Sequence, residues 1–191
     1  MEPDTKDWTW VLERPCPDCG YEADAVAPAS LADRLVSNAD AWRDALRDPS
    51  ATRRPDSVTW SCVEYGAHVR DVHRVFRERV ALVLGHDDPE FENWDQDAEA
   101  VRGRYAQARP EDVATELVAA AHEAAQLYAT APGDAWSRSC RRSNGSRFTL
   151  ASLGRYHLHD VVHHLHDVGG TAPGAVRESA PTTGEAPGAT R

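Results

Sequence analysis

The chain has 191 residues, with 31 acidic side chains against 21 basic ones and a net charge of −10. That length allows one domain with a sizeable core plus extensions, while the charge excludes a surface built for nucleic acid or anionic lipid, which needs clustered Lys and Arg. No window approaches the length of apolar chain that spans a membrane, and the opening MEPDTKDWTW lacks the basic-then-apolar order of a signal peptide, so a cytoplasmic protein acting on small molecules or proteins is expected.

Residues 1–28 mix Trp8, Trp10, prolines and the pair Cys16 and Cys19 without a sustained period, and are expected to form a loop-rich segment. CPDCG has the shape of half a zinc knuckle, but a structural zinc site needs four ligands and no second CxxC exists. Cys62 and Cys140 would have to approach to complete it. A thioredoxin-like pair would want a strand before it and a helix after it, and neither is evident. Two of four zinc ligands, or a reduced pair, are the readings that stay open.

The first helix is expected to begin near Ser30, with Leu31, Leu35, Ala39, Trp42 and Leu46 on one stripe, and to end before Pro49–Pro55. A second runs from about Ser57 to Leu84, with Val58, Tyr65, Val69, Val72, Phe76, Val80 and Val83 as apolar positions and Gly85 as its stop. After an acidic connection that turns helical beyond Asp95, a third follows Pro110 and ends before Pro132. The polar stretch SRSCRRSNGSRF then leads through Thr149 into a fourth. Four amphipathic helices make an all-α four-helix bundle the expected fold, over residues 29–170. Residues 171–191 are rich in Pro, Gly, Ala and Thr, cannot bury enough surface to offset their ordering entropy, and are expected to be disordered.

The fourth helix carries YHLHDVVHHLHDVGG, which holds five of the nine histidines. Helical geometry puts His159, His163 and His166 on one face and turns His157 and His164 elsewhere. Two imidazoles one turn apart can converge on one ion, as on zinc-binding helices with His at i and i+4. The third ligand has to come from another element. In the second, His68 is the candidate, with Glu64 one turn away as a base or second-sphere acceptor, whereas His73 turns away. His166 is a candidate proton shuttle or alternative ligand. Asp160 and Asp167 are expected to face solvent, although either could orient an imidazole through its second nitrogen. Trp94 with Asp95, and Arg141, Arg142 and Arg147, are candidates for closing over the site, although a loop anchor and surface charge balance explain them equally.

The helical order, the WSCVEYGAHVRDV helix with its central His, and the paired histidines of the fourth helix together resemble the DinB-like (YfiT-like) four-helix metal proteins over roughly residues 30–168. The resemblance implies one divalent ion, commonly zinc, nickel or iron, on His68, His159 and His163. A related branch comprises the mycothiol-dependent maleylpyruvate isomerases and small-thiol S-transferases. It implies a low-molecular-weight thiol as cosubstrate, although Glu is frequent there at the position of His159.

An open ion on neutral imidazoles would lower the pKa of a bound water or thiol toward neutrality. The expected function is therefore a metal-dependent enzyme of thiol S-transferase or hydrolase type on a small molecule. The alternative is a non-catalytic metal-binding or stress-associated protein with a structural ion. Apolar helix faces permit a homodimer without requiring one. The excess of Arg over the single Lys6, with abundant Ala, matches GC-rich bacterial coding.

Overall fold

The computed structural model describes residues 8–170, so the expectation of disorder over 171–191, and the first seven residues of the N-terminal segment, lie outside the described residues. Four helices make the bundle: α1 (Leu31–Ala45), α2 (Cys62–Gly85), α4 (Pro110–Ala129) and α5 (Leu150–Asp167), with a short α3 (Gln96–Arg102) in the acidic connection. Both α1 and α2 pack against both α4 and α5, so the helices alternate around one core. The stripe predicted for α1 lies inside that core, Trp42 included. Trp42 Nε1 and Asn38 Nδ2 donate to the Val161 carbonyl at 3.3 and 3.4 Å, which ties α1 to the middle of α5.

α2 starts later than the hydrophobic pattern suggests. Ser61 caps it, accepting from the Glu64 backbone N–H while the Glu64 carboxylate accepts from the Ser61 N–H at 2.9 Å, a reciprocal capping box. Val58 therefore stands outside the helix and is exposed. α5 starts at a second box, in which Thr149 and Ser152 exchange the same pair of bonds. Pro110 opens α4 at a first-turn position where its missing N–H costs nothing.

The polar stretch before α5 is a hairpin. β2 (Ser139–Arg142) pairs antiparallel with β3 (Arg147–Thr149) and parallel with β1 (Glu90–Phe91). This small sheet adds to the helical expectation without changing the architecture. It also occupies the arginines predicted near the site. Arg141 bonds Glu90 and Asp88, Arg147 lies 3.6 Å from Asp88, and Arg142 bonds Asn144 and Ser146.

Gly154 lets α5 approach its neighbours closely, since a Cβ there would lie 2.5 Å from Leu31 Cδ1 and 3.0 Å from Tyr128 Cε1. One turn along, the core holds a polar pair. His73 Nδ1 lies 3.0 Å from His157 Nε2, Tyr128 Oη lies 3.3 Å from His157 Nδ1, and Phe76 stacks on the His157 ring. Burial pushes His73 down to about 3 and His157 well below the ordinary histidine value, so both are neutral. His73 turns away from His68, as its spacing implies.

The N-terminal segment runs through short 3-10 turns at Thr9–Leu12, Ala23–Ala25 and Pro28–Ser30 and lies along α5. Tyr21 Oη donates to the Arg155 carbonyl at 2.7 Å, and Arg155 Nε donates to the Val26 carbonyl at 3.0 Å.

Candidate metal centre

α5 presents two ligand pairs of the same four-residue spacing, offset by one residue: His159 with His163, and Asp160 with His164. Successive residues on a helix are rotated by about 100°, so the pairs occupy adjoining strips that face different partners. Asp160 and His164 meet His68 of α2, and the ligand atoms of these three all lie within 4.8 Å of one another. His159 and His163 instead meet Cys16 and Cys19 of the N-terminal segment, within the same limit. The three-histidine set of His68, His159 and His163 is thus not brought together. Its members are divided between two groups because His164, not His159 or His163, is the imidazole that α5 turns toward α2.

The first group could hold an ion. His68 is buried, and neither ring nitrogen has a hydrogen-bond partner. Asp160 is only partly turned to solvent, not fully as expected. Its buried Oδ1 lies 3.4 Å from His164 Nε2 and 3.8 Å from His68 Nε2, with no hydrogen bond to either. Buried polar atoms almost always find partners, and converging orphans are what a coordination site looks like from the protein side. Burial lowers His68 and leaves its lone pairs available. Burial alone would raise Asp160, but His68, His164 and His159 outweigh it and hold the carboxyl well below the usual range. His164 is oriented through its other nitrogen, with Nδ1 3.0 Å from Asp167 Oδ2. Asp167 thus acts on a ring from behind, a role the sequence allowed for it.

Aromatic rings wall the group. Trp94 lies parallel to His68 with ring centroids 5.3 Å apart and planes 8° from each other, and Trp60 sits 5.6 Å away at a tilt. Trp94 therefore covers the site. Asp95 does not; its carboxylate accepts from the Ala98 N–H and caps α3. A cavity of about 200 Å³ opens over the α5 residues, lined by Trp8, Gln96, Tyr156, His159, Asp160, His163, His164 and Asp167.

Two predicted catalytic residues are placed elsewhere. Glu64 cannot serve as a base at this centre, because its carboxylate is committed to Arg54, the Ser61 N–H and the Ser61 hydroxyl. Burial would raise its pKa, yet these bonds prevail and hold it below the ordinary carboxylate value. His166 shares the His159 strip in projection but is exposed near the end of α5 and joins neither group.

In the second group, Cys16 Sγ lies 3.6 Å from His163 Nδ1. Cys62 and Cys140 take no part; both belong to other elements, at the start of α2 and in β2. The signal the sequence did offer for the first group was the DxxxH pair hidden inside HLHDVVHH, which is legible only if carboxylates are counted together with imidazoles.

The model of the DinB superfamily matches residues 32–168. Among solved structures, the chain is similar to YfiT from Bacillus subtilis, described as a probable metal-dependent hydrolase with an unusual four-helix bundle topology. The TM-score is 0.65 at 18% identity, covering 75% of this chain and 86% of that one. No curated protein matches the sequence.

Proposed function

Since the chain belongs to the DinB superfamily, we propose that it is a metal-dependent enzyme of hydrolytic type, acting on a small molecule at an ion held by His68, Asp160 and His164. The observation that carries this reading is the convergence of buried, unpartnered ligand atoms from α2 and α5 beside a cavity. Two imidazoles and one carboxylate leave coordination positions open, a ligand set shared by hydrolytic zinc sites and open ferrous sites. A bound divalent ion would supply a Lewis acid and a water of lowered pKa.

The chain's own residues define the rest. Asp160 brings one negative charge that an all-imidazole set would lack, so the loaded centre carries one net positive charge. Trp94 and Trp60 keep water from the faces of His68. Asp167 fixes which nitrogen of His164 is turned inward. Gln96 and Tyr156 are uncharged polar side chains on the cavity wall, placed to orient a substrate. The modest cavity favours hydrolysis over transfer from a bulky cosubstrate thiol, and the likeness to YfiT, a probable metal-dependent hydrolase, is in keeping with that reading.

The test is a comparison of wild type with the Asp160→Ala/His164→Ala variant. The variant should lose one ion per chain, together with any metal-stimulated turnover of small esters and amides, while keeping its helical circular dichroism. Unchanged metal content would rule out this centre. Turnover found only with an added low-molecular-weight thiol would move the chemistry to thiol transfer.

A further inference from the structure

We propose that Cys16, Cys19, His159 and His163 form a second, closed metal site that holds a structural zinc ion and fastens the N-terminal segment to α5. This inference does not depend on the hydrolytic reading.

The four ligand atoms come from two elements 140 residues and more apart in sequence, and all lie within 4.8 Å of one another. The cysteine turn has the local build of a metal knuckle. Gly20 takes a positive φ of 71°, its N–H donates to the Cys16 carbonyl at 2.9 Å, and Cys16 N–H donates to the Tyr21 carbonyl at 2.9 Å. A glycine is the residue that reaches this φ without strain. On α5, His159 is buried and its Nε2 has no hydrogen-bond partner, so a buried nitrogen of this group is left open to an ion.

Charge and coordination number separate this site from its neighbour. Two thiolates and two neutral imidazoles cancel the charge of a divalent ion, which suits buried surroundings where a net charge is costly. Four protein donors fill a tetrahedral shell and leave no position for water, the pattern of structural zinc. Mixed sulfur and nitrogen donors select zinc over the harder divalent ions. Trp8 lies 5.2 Å from His163 and 6.0 Å from His159, and Tyr21 stands edge-on to His159 at 5.3 Å, so aromatic rings from the N-terminal segment cover the site. An ion here would fix the rotation of α5 about its axis, and with it the direction of Asp160 and His164 one residue on.

The experiment uses full-length protein expressed in cobalt-supplemented minimal medium. Wild type should carry two Co2+ per chain and show a sulfur-to-cobalt charge-transfer band with the visible absorption of tetrahedral cobalt. The Asp160→Ala/His164→Ala variant should fall to one ion and keep the band. Cys19→Ser should weaken the band to about half or less, as at most one thiolate remains. His163→Cys should keep the ion and strengthen the band by about half, as three thiolates replace two. A wild-type protein without the charge-transfer band would overturn the proposal whether or not any variant folds. So would a band that survives in the His159→Ala/His163→Ala variant.

Discussion

Asp167 holds His164 from behind: one carboxylate oxygen lies 3.0 Å from His164 Nδ1, while the other lies 3.7 Å from His163 Nε2. A single carboxylate at the end of α5 therefore stands behind one ligand of each group. Carboxylates in this position fix tautomer and ring orientation, and losing them weakens metal affinity by about 10–100-fold. Asp167→Ala should show a loss of that size in competition with a chromogenic chelator, with helical content unchanged. An undiminished affinity would mean that the packing of α5 alone aims the rings.

Glu64→Gln separates a structural role from a catalytic one. The substitution removes the charge that Arg54 pairs with and weakens the box that starts α2, so it should cost about 1–2 kcal/mol in urea unfolding. Metal content and any metal-dependent turnover should stay at wild-type levels. A large loss of turnover in protein of normal metal content would restore Glu64 as a catalytic group.

His73 provides a pH dependence whose sign follows from its burial. Its pKa falls from 6.5 in the unfolded chain to about 3 in the fold, so the unfolded state takes up the proton first. The contribution to stability is complete above pH 6.5 and is lost as pH falls toward 3, at up to about 1.4 kcal/mol per pH unit. In His73→Leu, removal of the partner of His157 should lower stability at pH 7 by about 1–3 kcal/mol. The same variant should lose stability more slowly on acidification, as read from urea midpoints across that range. Equal slopes in the two proteins would show that His73 is protonated in the fold.

Gly154→Ala sets helix propensity against space. Alanine favours a helix interior by about 1 kcal/mol, but a Cβ at 2.5 Å from buried Leu31 and 3.0 Å from Tyr128 forces core side chains to shift. Overpacking of this kind costs about 1–3 kcal/mol, so the variant should melt at a lower temperature. A higher melting temperature would show that Leu31 can turn aside freely.

The bundle was legible in the sequence because its causes are local and periodic. The Leu31–Leu46 stripe, Pro110 and Thr149 mark helices by spacing and end chemistry that a linear reading captures. The start of α2 was misplaced because an apolar residue, Val58, extended the pattern while the deciding signal was the Ser61/Glu64 pair. That same pair turned a candidate base into a cap. At the site, the candidate residues expected together, His68, His159 and His163, are divided between two groups. Whether His163 or His164 meets His68 depends on how α5 is rotated against α2 and on where a loop 140 residues earlier comes to rest, and neither is encoded in residue spacing. Trp94 was legible only as one of two alternatives, since ring stacking on His68 leaves no mark on the sequence. Among the described residues no helix is long and apolar enough to cross a membrane, in keeping with the hydropathy pattern.

The cap at Thr149 and the close approach at Gly154 give α5 a fixed origin, and every ligand on it is phased from there. Deleting one residue between Thr149 and His159 would swing all four side chains by about 100°, turning Asp160 and His164 toward the cysteines and moving His159 and His163 into the positions of Leu158 and Val162. Loss of a whole turn would be needed to restore even approximate alignment, and it would displace the set along the axis by about 5 Å. Length variation in proteins built this way is thus confined to the hairpin ahead of Thr149 and the chain beyond Gly169, while the span between Thr149 and Asp167 behaves as a ruler whose graduations cannot be moved independently.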